Sequence, residues 1–483
     1  MRTIQLKNIF TAWLIAGIAF SACTRDRLFD DPLDAVPVST AFSNAERIEK
    51  SAVGMYSALQ NINWGCGRNL IYCDVQGLDA NPNNFFGNIG FFNLMRANDG
   101  TVTAAWTAAY NTIFTANLFV KNMTDAQKMV TPEKLNQYLG EAAFIRAYNY
   151  FYLVNFWGQT YTDPIKGPEV NPGVPLVLTA TDAPFAADNL IPRSTVKAVY
   201  DQIEKDLLGA AAMLPEDYTG DINSRVSRAT KGAARALLMR MYLYEGNWAK
   251  ASTYADSLIK SPFYGLNTAP ETAYRNYTTK ESIFSVAFSG SNNPDRNNAL
   301  SAHYSPSVRG DISLSNAFLQ LMDTLADLRY KNLVIRTVKG TGSAATNYYW
   351  SIKYTSFADW APVMRFAEVL LVKAEALARL GAPGDPASAE ALTLLKQVRN
   401  RSNGGAVTAV TNAQLVDAIL KERRIELAFE GQAYFDLQRT HQDVPPHATI
   451  TNAQPYGSNF RIWPIPQYDI NIMPTLKQND GYQ

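Results

Sequence analysis

The chain has 483 residues, with 44 Lys plus Arg against 43 Asp plus Glu and a formal net charge of +1. Hydrophobic residues at 47% and charged residues at 18% describe a globular chain with ample core, in two to four domains or one large one, and exclude a disordered one. The balanced charge argues against generic nucleic-acid binding, which needs a basic surplus, and three His with three Cys leave little material for a metal centre.

At the amino terminus, Met1 to Asn8 carries Arg2 and Lys7 and no acid, and Ile9 to Phe20 is an apolar run. That run has the length of a signal-peptide core and is too short to span a bilayer comfortably. Phe20-Ser21-Ala22-Cys23 places small residues just before a cysteine, as a bacterial lipobox does. Residues 1–22 are therefore expected to be removed as a signal peptide. Cys23 is expected to be lipidated, and residues 23–40 to form a tether, so that the chain is anchored to a membrane without crossing it. Cys66 and Cys73 lie seven positions apart; in an exported protein they are expected to close a small disulfide loop, two free thiols being the alternative.

Helical patterns dominate from there on. Trp106, Tyr110, Ile113 and Asn117 recur at helical spacing. Thr131-Pro132-Glu133 predicts a helix start, with Thr as the cap and Pro in the first turn, and the helix should end near Trp157-Gly158. Ser194 is expected to cap a further helix running toward Leu214-Pro215. Thr230 to Ser261 and Val363 to Arg401 read as helix-turn-helix pairs resembling tetratricopeptide repeats, the first turning at Gly246-Asn247 and followed by Pro262. Between them, residues 262–360 are rich in Ser, Asn, Tyr and Gly and lack helical period except near Ser315 to Met322. Loops and short strands laid over a helical frame are expected there, and a long irregular excursion of this kind is usually functional. Thr411-Asn412-Ala413-Gln414 opens a helix reading on to Gly431. Arg423 or Arg424 falls within its apolar stripe and needs a carboxylate from Glu426, Glu430 or Asp436. The expected fold is mostly α: helix pairs form a frame, in an amino-terminal region (41–225) and a carboxy-terminal region (226–483) carrying the irregular insertion.

Several motifs along the chain resemble one family. Glu422-Arg423-Arg424-Ile425-Glu426-Leu427-Ala428-Phe429-Glu430-Gly431, followed by Tyr434-Phe435-Asp436-Leu437-Gln438-Arg439, resembles the hallmark of SusD/RagB outer-membrane lipoproteins. Glu141 to Ala147 with Tyr150-Phe151 and Phe156-Trp157-Gly158, Arg365 to Ala376, Trp463-Pro464-Ile465-Pro466, and Gln478 to Tyr482 are similar to further segments of that family. Two departures stand out. Asn471-Ile472-Met473-Pro474 occupies the place of a usual Asn-Pro pair, and Thr24-Arg25-Asp26-Arg27 lacks the dense acidic run of many surface-exported members.

The resemblance implies a surface lipoprotein on the outer membrane that captures a nutrient, most often a glycan. It implies delivery to a SusC-like TonB-dependent transporter, over which the protein acts as a lid, with no reaction catalysed, no cofactor and no nucleic-acid partner. A peptide-binding member of the family and a pure scaffold of the transporter are the alternatives. Sugars are recognised by flat aromatics and planar polar groups, and two regions hold that mixture, 63–93 and 292–360. Within them the expected ligand contacts are Trp64, Arg68, Asp74, Asn83, Tyr304, Tyr349 and Trp350. If Tyr348-Tyr349-Trp350 is a strand, alternation sends at least one ring outward. Phe91-Phe92 is expected to be buried. His303, His441 and His447 sit in no catalytic or metal-ligand pattern, with His441 and His447 flanking Pro445-Pro446 in a loop, and no carboxylate pair or calcium-loop spacing stands out.

Overall fold

The structure, a computed structural model, describes residues 38–92, 95–181, 190–446 and 453–482. The expected signal peptide, Cys23, nearly all of the expected tether and His447 lie outside the described residues. One compact unit ends at Ser51 and a second runs from Ala52. In the first, Val38–Ala41 forms a helical turn and the Ser51 hydroxyl donates to the Ala41 carbonyl (3.2 Å).

Helix α1 is Ala45–Leu59 and α2 is Arg68–Gln76. Every residue of α2 is buried. Its entry turn needs Gly67, where φ is +110° and a Cβ would lie 2.7 Å from Leu300. The long helices α3 (Gly100–Ala126) and α4 (Pro132–Trp157) follow. The α4 cap is Thr131, whose hydroxyl accepts from Lys134 N–H (3.3 Å), with Pro132 in the first turn as its fixed φ favours. Helix α5 (Val196–Met213) is capped by Thr195, not Ser194: the neighbouring hydroxyl accepts from Ala198 N–H, and Ser194 instead lies in the short strand Arg193–Thr195.

The two helix pairs form as α6 (Lys231–Tyr244) with α7 (Trp248–Ile259), capped by Thr230 and Asn247, and α9 (Phe366–Leu380) with α10 (Ala389–Arg401). Helix α8 (Leu300–Tyr304) lies in the excursion between them. Along the frame α4 packs on α5, α5 on α6, α6 on α7, and α7 on α9. The second pair starts later than the sequence suggested. Val363 belongs to a strand, Ala361–Arg365, which pairs antiparallel with Ser282–Val286, so both ends of the excursion are held in one ladder. Helix α11 (Asn412–Glu426), capped by Thr411, stops five residues short of Gly431, where Phe429 and Gly431 take positive φ (62° and 73°). A Cβ on Gly431 would come within 2.8 Å of the Leu70 backbone. Helix α12 is Ala433–Arg439.

Charge is buried where the excursion meets these helices. Arg365 donates to Glu430 Oε2 (2.6 Å) and Oε1 (2.9 Å) and to Glu281 Oε1 (2.5 Å). Lys353 Nζ donates to Glu430 (2.7 Å), Arg329 to Glu422 (2.6 Å) and Arg401 to Glu426 (2.5 Å). Burial works against ionising Glu426, but Arg401, Arg365 and Arg329 outweigh it and hold its carboxyl far below the usual range. The partner sought for the arginine pair is Asp436 for Arg423 (3.0 Å), while Arg424 reaches Asp79 (2.5 Å). Among the described residues no helix is long and apolar enough to cross a membrane.

Candidate functional site

Two strands bring the expected ligand regions together. Ala80–Pro82 (β1) pairs antiparallel with Ile312–Leu314 (β3), so the loop after β1 and the loop before β3 meet at one edge. Between them in the chain lies Ser282–Val286 (β2). A hairpin of Val334–Lys339 (β4) and Thr346–Ser351 (β5) packs beside β3, and Ala361–Arg365 is β6.

Asp311 is the hub of this edge. Asn83 Nδ2 donates to its Oδ1 (2.8 Å), Arg309 Nε donates to its Oδ2 (2.7 Å), and the His303 ring meets Oδ2 through Nδ1 (2.8 Å). On its other side, His303 Nε2 faces Arg68 Nη2 at 3.2 Å. A guanidinium can only donate and an ionised carboxylate can only accept, so His303 is neutral with its proton on Nδ1. Burial lowers the His303 pKa, in keeping with that state. Burial would raise Asp311, but the hydrogen bonds from His303, Arg309 and Asn83 outweigh it and hold the carboxyl down at about 2.

Over this polar hub sits an exposed ring. Phe85 is 49% exposed although it stacks on His303 (ring centroids 5.6 Å apart, planes 24°) and meets Phe86 edge-on. The Arg309 guanidinium lies 4.3 Å from its centroid and that of Arg68 5.5 Å. Asn83 and Asn84 beside it are exposed, and Asn83 Oδ1 accepts from Phe85 N–H (2.9 Å), which fixes the turn that lifts the ring. On the hairpin, cross-strand register puts Tyr348 and Trp350 on one face and Tyr349 on the other. Tyr348 is half-buried and stacks on Trp350 (6.1 Å, 24°). Trp350 in turn abuts Gly310, where φ is +59° and a Cβ would lie 3.1 Å from the indole.

The expected contacts divide accordingly. Asn83 is exposed on this face, and Arg68 supports it from below, donating to Asn298 (2.9 Å) under the Phe85 and Phe86 rings. Tyr349 is half-buried on the hairpin's opposite face. Four expectations are corrected. Trp64 is fully enclosed: its Nε1 donates to Asn149 Oδ1 (2.8 Å), and its ring packs among Tyr152, Phe156 and Trp157. Asp74 and Tyr304 face each other inside the protein, the phenol donating to the carboxylate at 2.6 Å, and neither has surface to offer. Trp350 is only 4% exposed, with its Nε1 spent on Thr337 Oγ1 (2.8 Å), so Tyr348 covers it from outside. Cys66 and Cys73 are separate buried thiols. Cys66 Sγ turns to the Ile62 carbonyl, while Cys73 faces the backbone of Tyr434 and Phe435.

Phe85, Arg309 and His303 lie in the two regions but stand out from neither by pattern. The one local signal is Asn83-Asn84 ahead of Phe85, a turn that leaves the next side chain proud of the surface. Of the Phe91-Phe92 pair, Phe92 is buried and Phe91 half-buried.

The frame of helix pairs, with its binding face built from loops and short strands, is the architecture of outer-membrane nutrient-binding proteins. A family model described as starch-binding and associating with the outer membrane matches residues 30–243, and the SusD family model matches residues 283–482. The chain belongs to the SusD/RagB family. It is 26% identical to SusD-like protein P38 of Formosa agariphila over 78% of this chain and 79% of that protein, and 23% identical to SusD-like protein P25 of the same organism over 99% of each. A SusD superfamily protein from Bacteroides vulgatus superposes with a TM-score of 0.78 at 25% identity, covering 91% of this chain and 99% of the other. A SusD-like carbohydrate binding protein from Bacteroides vulgatus shares the fold with a TM-score of 0.76 at 22% identity, covering 90% and 97%.

Proposed function

We propose that this chain is a lipid-anchored receptor on the cell surface that binds an oligo- or polysaccharide. It delivers that glycan to a SusC-like TonB-dependent transporter and serves as the transporter's lid. The observation that carries the ligand class is the open ring of Phe85 between the amides of Asn83 and Asn84 and the guanidinium of Arg309. A sugar ring offers a C–H face to such an aromatic and hydroxyls to such planar polar groups. Membership of the family supports the transporter partner and the outer-membrane location, and the lipobox supports Cys23 as the anchoring residue. The same membership supports a role in binding, with no catalytic step.

The test uses soluble protein starting after Cys23, screened against plant, microbial and host glycans with a peptide mixture alongside. Binding of one glycan class that is lost in Phe85→Ala supports the reading. Peptide binding with glycan silence replaces it with the peptide-binding alternative. Silence toward both favours a scaffold of the transporter.

A further inference from the structure

We propose that the glycan taken at the Phe85 face is anionic, bearing uronate carboxylates or sulfate esters; this rests on the glycan reading above. The chain as a whole is balanced, yet the hairpin segment beside this face is not. Residues 328–358 contain five Lys or Arg and no acid. Two of the five, Arg329 and Lys353, are buried in ion pairs with Glu422 and Glu430. The other three, Lys331, Arg336 and Lys339, are exposed and form no ion pair among the described residues; of the two on the hairpin, Lys339 shares the face of Tyr348 and Trp350, while Arg336 lies on the opposite face with Tyr349.

The cations reach the aromatic platform in one run of contacts. Lys339 Nζ lies 5.2 Å over the Tyr348 ring, Tyr348 stacks on Trp350, and Trp350 abuts Gly310. Next to Gly310, Arg309 lies over Phe85, and Arg68 lies beneath that ring. Arg309 gives only its Nε to Asp311, and its two Nη groups form no hydrogen bond among the described residues. They leave a planar fork over the ring, the geometry that donates to two oxygens of a carboxylate or a sulfate.

Two acids flank the face, and each is matched by an adjacent arginine. Asp311 is engaged by Asn83, His303 and Arg309 together, and Asp295 accepts from Asn297 N–H (2.7 Å) and is followed by the exposed Arg296. His303 is neutral, so Arg68, Arg296, Arg309 and Lys339 outnumber Asp295 and Asp311 at the platform. A neutral glycan needs none of this surplus, whereas an acidic one would be both steered and oriented by it.

The experiment compares three sets of glycans on the same protein: neutral homopolymers, polyuronates such as polygalacturonate and alginate, and sulfated galactans. Affinities are measured at low and high salt, with Phe85→Ala, Arg309→Gln and Lys339→Gln alongside. The expected result is binding within the uronate or the sulfate arm, and which arm responds identifies the anion. Affinity should weaken about tenfold or more in Arg309→Gln and fall in Lys339→Gln, with a steep loss at high salt. Lys339→Gln alters an exposed side chain, so its effect is not one of misfolding. Neutral-glycan binding that is lost in Phe85→Ala but indifferent to salt and to both charge variants overturns the anionic proposal and leaves the glycan reading standing. Absence of any glycan binding, with or without peptide binding, overturns both.

Discussion

Asn83 and Asp311 join the two halves of the proposed ligand face twice, through the side-chain amide on the carboxylate (2.8 Å) and through the Asn83 N–H on the Asp311 carbonyl (2.7 Å). Some 228 residues separate them in the chain, so the loop that lifts Phe85 is positioned by a segment remote in sequence. The face is thus built on the β1–β3 pair and on one ionised carboxylate that three donors share.

Asp311→Asn should loosen that edge, because an amide NH2 would confront donors where a carboxylate now accepts from all three. The pH dependence has a definite sign. A carboxyl held at about 2 in the folded chain, against about 3.9 unfolded, stabilises the fold above the unfolded value and loses that contribution as pH falls from about 4 through about 2. With a discount for solvent screening, wild type should exceed the variant by about 1 kcal/mol near neutral pH. Urea denaturation at a series of pH values should show the gap closing on the acid side. A gap that widened with acid would contradict this account of Asp311.

Both internal cysteines should be thiols in the exported protein. Burial raises Cys66 to about 11 and pushes Cys73 well above the usual thiol range, so neither forms thiolate readily in the native state. A thiol reagent should label almost nothing in the folded protein starting after Cys23, and both Cys66 and Cys73 once urea is added without reductant. Labelling that required reductant would restore the disulfide.

Much of the frame was legible because helix caps are local. Thr131, Thr230 and Thr411 each accept from the N–H three residues on, as their sequence context indicates. Ser194 and Thr195 offer the same chemistry side by side, and the helix start at Val196 decides between them by putting Thr195 at the capping position. The site was less legible, because exposure is decided by distant partners. Nothing beside Trp64 reveals that Asn149 waits for its N–H, and nothing beside Trp350 reveals Gly310 and Thr337. Asp74 and Tyr304 lie in the two regions that converge, but they meet inside the protein. Arg423 could be seen to need a carboxylate, since the rule is general, whereas the partnership of Arg424 with Asp79 spans 345 residues and left no trace in the pattern.

Trp64→Phe separates core from ligand face. The ring volume is largely kept, but Asn149 Oδ1 loses its donor in a buried site. The cost should be about 1–3 kcal/mol, read as a lower denaturation midpoint, with glycan affinity unchanged under conditions where the variant is folded. A loss of affinity at full folding would return Trp64 to the ligand face.

Glu430→Ala tests what fastens the excursion to the helical frame. The carboxylate takes hydrogen bonds from Arg365, Lys353 and the Tyr274 hydroxyl (2.6 Å), and all three donors are buried. Arg365 ends β6 and Lys353 follows β5, so one side chain in the turn between α11 and α12 holds both strands that close the insertion. Burial opposes the charge on Glu430, but Arg365 and Lys353 outweigh it and hold the carboxyl below its usual range. Removing it leaves Lys353 in the interior without a carboxylate partner and Arg365 with only Glu281 and Glu426, which costs far more than the net value of the lost pairs themselves. The expected loss is about 3–5 kcal/mol. It should appear first as protease cleavage within residues 262–360, since Glu430 fastens the strands that close that segment, and only then as global unfolding. Replacing Arg365, Lys353 and Glu430 together with apolar residues of similar volume should recover part of the loss, because no lone charge then remains buried. If the triple variant were no more stable than Glu430→Ala, the cost would lie in lost packing and geometry rather than in stranded charge.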